Sequence, residues 1–182
     1  MGSGGKRPVS VAVRDNMAYV LNEGETATLA GFRIGEDGLL TPLENGVTAV
    51  DTGLAIDAGQ LAFSPDGSSL LLTDKANDLI YSFAVDINGR IGAVAKIRSA
   101  GKTPFGFAFD WTGDLYVAEA FGAEPLKAAT SSYKSGGTWI AWGRDRLCLG
   151  QRDAGLLHRS KPRRALRLCA QFVELDHFEL RR

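Results

Sequence analysis

Gly5-Lys6-Arg7-Pro8-Val9-Ser10-Val11-Ala12-Val13 recurs 96 residues later as Gly101-Lys102-Thr103-Pro104-Phe105-Gly106-Phe107-Ala108-Phe109. A shorter copy, Gly59-Gln60-Leu61-Ala62-Phe63, lies between them, with Ala62 50 residues after Ala12 and 46 before Ala108. The mean period is therefore 48 residues. A period of this size marks a repeat architecture in which each copy is one supersecondary unit. The copies alternate with a period of two rather than 3.6, which selects strands and excludes a helical solenoid.

Each copy runs into a turn: Arg14-Asp15-Asn16, then Ser64-Pro65-Asp66-Gly67, then Asp110-Trp111-Thr112-Gly113. Pro presets one turn dihedral and Gly or Asn accepts a positive one, so these stretches have a mechanical reason to reverse the chain. A second strand follows each turn, at Ala18–Asn22, Leu70–Asp74 and Leu115–Glu119. A third holds Ala30–Ile34 and Ile80–Val85, with a weaker Ser131-Ser132-Tyr133 in the last copy. Further turns come at Glu36-Asp37-Gly38, Ile87-Asn88-Gly89 and Ser135-Gly136-Gly137. The fourth segments, such as Leu39-Leu40-Thr41-Pro42 and Arg90-Ile91-Gly92, carry the Pro and Gly of edge strands. The expected fold is all-β: an incomplete β-propeller of about three four-stranded antiparallel blades, followed by an irregular or weakly helical tail. An open meander or sandwich is the competing arrangement. Fewer than three full blades are legible, against the roughly four to eight of a closed ring, so the chain reads as part of something longer.

Composition adds a break. Residues 1–138 hold 11 basic and 16 acidic residues, and residues 139–182 hold 10 and 5, so the neutral total is −5 cancelled by +5. Val, Ile and Thr all but vanish after residue 138, while both cysteines, both histidines and nine of fourteen arginines lie there. The expected domains are 1–138, with blades at about 1–50, 51–99 and 100–138, and a basic tail at 139–182. A tail read out of frame is one explanation, checked by reading the coding DNA for blade sequence in the other frames. A true appended segment is the other.

Several function classes drop out. No net charge steers the chain to nucleic acid or to an anionic membrane, and no apolar run reaches a membrane span. Two cysteines do not make a disulfide scaffold. Cys148 and Cys169, like His158 and His177, have no zinc-ligand spacing. Gly101-Lys102-Thr103 lacks the Gly that a phosphate loop needs six positions before its Lys, since residue 96 is Lys. The basic run Arg159–Arg167 reads as a solvated stretch without a nucleic-acid-binding fold around it. The first residues carry no signal h-region. A cytoplasmic location is therefore the expectation as written, with the native start left open.

The blade text resembles the lactonase family of seven-bladed β-propellers, which contains 6-phosphogluconolactonase and carboxy-muconate cyclase. The resemblance rests on Arg7–Val13 with Tyr19–Asn22, on Gly59–Gly67, and on Leu72-Thr73-Asp74-Lys75-Ala76-Asn77. Thr103–Phe109 and Val117-Ala118-Glu119-Ala120-Phe121-Gly122 extend it, over roughly residues 4–138. It implies a parent that hydrolyses or forms small lactones of the sugar-acid or muconate kind, with no obligatory metal and no cofactor.

Alternating loops place Asn22, Glu23, Asp74 and Glu119 on the same face as Lys6, Arg7, Lys102 and Thr103. Carboxylates facing cations suit proton transfer and oxyanion stabilisation in lactone chemistry. Glu119 matches the carboxylate of the family's Ser-Glu-Ala-like segment, and Asp74 stands where relatives often carry Glu. The expected catalytic residues are therefore Glu119 and Asp74, with Lys102, Arg7 and Asn22 as substrate-binding groups. The plainer reading is that polar residues at strand ends satisfy loop backbone. The family's enzymes draw on His and Arg over several blades, and residues 1–138 contain no histidine. The chain alone is expected to be inactive, with a small-molecule lactone as the parent's partner. A non-catalytic binding or scaffold propeller is the alternative. Exposed end blades predict self-association.

Overall fold

Three antiparallel four-stranded sheets follow one another along the chain, each built from consecutive strands. The computed structural model describes residues 2–50, 53–124 and 127–135, with the strand backbone of 142–149. The first sheet comprises β1 (Pro8–Arg14), β2 (Met17–Asn22), β3 (Thr28–Ile34) and β4 (Leu40–Ala49). The second comprises β5 (Ala58–Phe63), β6 (Ser69–Asp74), β7 (Leu79–Val85) and β8 (Ile91–Arg98). The third comprises β9 (Pro104–Phe109), β10 (Leu115–Glu119), β11 (Ala129–Ser135) and β12 (Trp142–Leu149). A short 3-10 turn at Phe121–Ala123 separates β10 from β11.

The turn chemistry explains the reversals. Gly38, Gly67, Gly89 and Gly113 take φ of 76°, 76°, 81° and 89°, a region that costs any side chain. An aspartate precedes each and gathers the turn's amides. Asp86 Oδ1 accepts from Asn88 N and Arg90 N, both at 2.8 Å, and Asp110 Oδ1 accepts from Thr112 N at 2.8 Å and Asp114 N at 3.0 Å.

The sheets pack face to face as blades around a common inner edge. β6 is buried along its whole length because it is covered on both faces. Leu70 and Leu72 point into one core with Tyr19, Leu21 and Leu29 of the first blade. Leu71 points the other way, into a second core with Phe107, Leu115 and Val117 of the third. Adjacent residues thus serve two different interfaces, as the period-two alternation of a strand demands. The innermost strands lie side by side, β5 between β1 and β9. Leu61 N donates to Ser10 Oγ at 3.1 Å, while Gln60 bridges to Phe107 N and O at 2.9 and 3.0 Å. Strands radiating from a shared inner edge distinguish this arrangement from two facing layers. Among the described residues the blades form an arc, and no ring closes.

The strand order follows the expectation, with one difference. Residues 142–149, which composition assigns to the tail, run as β12 beside β11, from Ser135↔Trp142 to Ala129↔Leu149. The backbone of the third sheet thus continues past residue 138. Sheet pairing uses main-chain groups that every residue but Pro supplies, so a run poor in β-branched residues still completes a blade edge. Gly136 and Gly137 of the third turn, His158, His177, Cys169 and the helix anticipated over Leu166–Leu180 lie outside the described residues.

Candidate functional site

One hydrogen bond is repeated in every blade and builds the loop face. The carbonyls of Arg7, Asp57 and Thr103, which open the three blades, accept from Glu23 N, Lys75 N and Ala120 N at 2.9, 2.8 and 2.9 Å. Each pairing sets the blade-opening loop beside the exit of the second strand, so the predicted carboxylates and cations do share a face. Arg7 and Thr103 occupy the same repeat position and take the same left-handed φ, 57° and 56°.

The second-strand ends are buried, and each is held differently. Asn22 Nδ2 donates to Ser3 O at 3.0 Å, while its Oδ1 has no hydrogen-bond partner among the described residues. Asp74 has both oxygens engaged. Oδ1 accepts from Asp57 N and Ala76 N, each at 3.2 Å, and Oδ2 from Asn77 Nδ2 at 2.7 Å. Glu119 Oε1 accepts from Ser99 Oγ at 2.6 Å and Ser131 Oγ at 2.5 Å. The Tyr133 hydroxyl closes this cluster, 3.1 Å from Ser99 Oγ and accepting from Ala100 N at 2.8 Å. Among the described residues, Glu119 Oε2 is buried without a hydrogen-bond partner. Burial pushes the Glu119 carboxyl above its ordinary value, against the opposing pull of the Ser131 and Ser99 hydroxyls and the Gly101 N–H.

Gly101 is fixed by this packing. A Cβ there would lie 2.8 Å from Glu119 Cγ and 2.9 Å from its Cβ. Gly5, its repeat equivalent, meets Asn22 in the same way, at 2.8 Å from Cβ. Gly101→Ala is therefore expected to destabilise the chain by about 1–3 kcal/mol in urea unfolding, the usual cost of overpacking. Gly106→Ala, whose nearest contact is 3.5 Å, serves as the benign control.

The cations stay at the surface. Arg7 pairs with the buried Glu23 carboxylate, whose other oxygen accepts from Ala58 N at 2.8 Å. Lys75 pairs with Asp57 at 3.0 Å and sits 5.2 Å from the Phe105 ring centroid, reaching from the second blade to the third. Lys102 is exposed. Among the described residues no hydrogen bond or ion pair joins Glu119 or Asp74 to Arg7 or Lys102. An open groove of about 700 Å³, lined by Arg33, Thr41, Glu44, Asn88 and Arg90 among others, includes none of the five predicted site residues.

Sequence reasoning missed Ser99, Ser131, Tyr133, Asp57 and Asp78, the last of which accepts from Thr103 N through Oδ1 at 2.7 Å. One signal was available: Ser3 and Ser99 occupy the same repeat position, 96 residues apart, and each lies against its blade's second-strand end.

The comparisons with known proteins agree with this architecture. A proposed 6-phosphogluconolactonase of Bacteroides fragilis superposes with a TM-score of 0.62 at 22% identity, over 75% of this chain and 37% of its own. A second, from Bacteroides uniformis, gives 0.59 at 18% identity over 84% and 45%. The periplasmic gluconolactonase of Pseudomonas aeruginosa gives 0.60 at 16% identity over 82% and 44%. The chain thus spans less than half the length of these structures. Among curated proteins the sequence finds no match. The family profile described as "Lactonase, 7-bladed beta-propeller" matches residues 2–120, well over half of the sequence, so the chain belongs to that lactonase family.

Proposed function

We propose that this chain is part of a lactone-acting propeller whose full-length parent hydrolyses or forms small lactones of the sugar-acid or muconate kind, and that the chain alone is inactive. The observation that carries the reading is the loop face, where the blade-opening Arg7 pairs with the buried Glu23 and the loop of Lys102 and Thr103 lies beside the exit of the strand that ends in the buried Glu119, in a family that acts on lactones. In hydrolysis, water adds to the lactone carbonyl and gives up a proton, the carbonyl oxygen gains negative charge, and the ring oxygen leaves with a proton. Arg7 and Lys102 suit the anionic groups, both the developing oxyanion and a substrate carboxylate or phosphate. Asn22 offers a buried carboxamide oxygen that no other described residue uses. Glu119, with a raised proton affinity and one free oxygen, suits the proton transfer better than Asp74, whose two oxygens are both spent on its own loop. Asp74 then acts as a positioning residue for the segment from Asp57 to Asn77.

The reading as a binding or scaffold module rests on a specific observation too. Glu119 and Asp74 are both buried and hydrogen-bonded within the chain, as locks of a blade loop would be. The test is lactone hydrolysis by the full-length parent, followed by proton release. Glu119→Gln is expected to lower kcat by about 10²–10⁴-fold, the span of a lost general acid or base. An unchanged rate with an intact fold favours the non-catalytic module. The present chain is expected to show no rate above buffer.

A further inference from the structure

We infer that the groove between the first two blades binds a small zwitterion, an α-amino acid with an aliphatic side chain. The inference is independent of the lactone reading, because the groove shares no residue with the loop face. One wall comes from β3 and β4, the other from the turn between β7 and β8. Met17 pairs with Arg33 across β2 and β3, and Arg33 pairs with Thr41 across β3 and β4. Cross-strand partners share a face, and on this face Met17 and Tyr19 meet the second blade. The Tyr19 hydroxyl donates to the Gly89 carbonyl. A Cβ on Gly89 would lie 2.9 Å from Met17 Sδ and 2.8 Å from Leu43 Cδ1. The two blades are thus clamped at the floor of the groove, with Arg33 and Thr41 on one wall and Asn88 and Arg90 on the other.

An insertion shapes the first wall. Pro42 lies opposite Phe32 and Val47 opposite Ala30, so residues 43–46 all face the single Gly31. At the same place the second blade has only Ala95, opposite Ser82. Such bulges re-aim side chains beside sites, and this one sends Leu43 onto the core and leaves Glu44 exposed. The lining then selects the ligand. Arg33 is half-buried, and its side chain makes no hydrogen bond or ion pair among the described residues. Arg90 reaches Glu44 of the other blade only at 4.0 Å, and both side chains are largely exposed. A pair of that kind is worth little, so a ligand can replace it. Guanidinium groups on opposite walls suit a carboxylate, which each can grip through paired N–H donors. Glu36 and Glu44 suit an ammonium group. The lining holds as many carboxylates as cations, and a ligand with one charge of each sign preserves that balance. Leu43 gives an aliphatic side chain an apolar floor. The volume of about 700 Å³ lies within the roughly 300–1,000 Å³ of small-molecule sites.

Titration of the full chain with L-leucine, followed by amide NMR, tests this. The amides of Gly35, Leu43, Asn88 and Arg90 are expected to shift and to saturate. Isopentylamine lacks only the carboxylate of leucine, and isocaproate lacks only its ammonium group. Each is expected to bind about tenfold more weakly or worse, as the loss of one charged contact implies. Arg33→Gln is expected to weaken leucine by about tenfold or more. Arg98→Gln, which removes an exposed charge outside the groove, is expected to leave the affinity unchanged. Replacing residues 43–46 by a single alanine, as in the second blade, is expected to abolish binding. No saturable shift at these amides, equal binding of either single-charge analogue, or full affinity in Arg33→Gln overturns the proposal.

Discussion

Truncating Leu71 to alanine is expected to cost about 3 kcal/mol, read as a fall in the urea midpoint, and to loosen the third blade more than the first. Leu71 is fully buried in the central strand of the second blade. It points into the core shared with Phe107, Leu115, Val117 and Tyr133, while its neighbours Leu70 and Leu72 serve the other core. Burial by rigid sheets on both sides leaves little room for collapse, which places the substitution within the roughly 2–5 kcal/mol range of leucine truncations. The asymmetry follows from the arc. In an open array each unit is held by its neighbours, so weakening one interface uncouples what lies beyond it. Amide exchange in β9, β10 and β11 is expected to rise about a hundredfold, with β2 and β3 little changed. Equal loss of protection in all three blades would show that they unfold as one unit. Val13→Ala, at an exposed position, supplies the control, with a change of about 0.5 kcal/mol or less.

How much of this was legible beforehand depends on the range of the interaction. The strand order and turns are local. A period-two run followed by Asp-Gly or Asn-Gly states its own geometry, and the φ values of Gly38, Gly67, Gly89 and Gly113 agree with that reading. The repeat text also placed Glu119, Asp74 and Asn22 at equivalent strand ends beside the blade-opening loops. What the text does not state is which small polar groups meet there. Ser99 follows β8 of the second blade, and Ser131 and Tyr133 belong to β11 of the third, and only blade packing gathers them on Glu119. The repeat position that Ser99 shares with Ser3 marks it as a strand-end residue without saying which carboxylate it meets. The ion pair of Arg7 with Glu23 was half visible, as two charges assigned to one face. The coupling of Lys75 to Asp57 and to the Phe105 ring depends on two blades meeting at a fixed angle. β12 was missed for the opposite reason: Trp142–Leu149 contains no Val, Ile or Thr, the residues that mark strands in a sequence, whereas backbone pairing with β11 requires none of them.

The Glu119 cluster makes a second large prediction, in which pH and mutation must agree. Burial raises the folded-state proton affinity of this carboxyl above that of the unfolded chain. The folded state therefore binds the extra proton, and the stability linked to it is fully present below the unfolded value, roughly pH 4.3 for a glutamate. That contribution is lost as pH rises through the higher folded value, so the urea midpoint should fall across that window and level off above it. Asp110 acts in the opposite sense. Its partial burial opposes ionisation, but hydrogen bonds from Thr112, Asp114 and Tyr116 outweigh this and hold its value down, so its contribution is lost only as pH falls. The difference between wild type and Glu119→Gln isolates the glutamate, because Gln keeps an acceptor for Ser99 and Ser131 and cannot ionise. The variant's midpoint should be flat where the wild type declines. Glu119→Ala removes that acceptor altogether, leaving two buried hydroxyls without it and a cavity beneath Gly101. A loss of roughly 2 kcal/mol or more relative to Gln is expected, since each stranded buried polar group costs about 1–3 kcal/mol. A wild-type midpoint that rises with pH through the same window would mean that the hydroxyls and the Gly101 amide stabilise the anion more than burial penalises it. Glu119 would then be an ionised lock between Ser99 and Ser131, and a proton-transfer role for it would lose its physical basis.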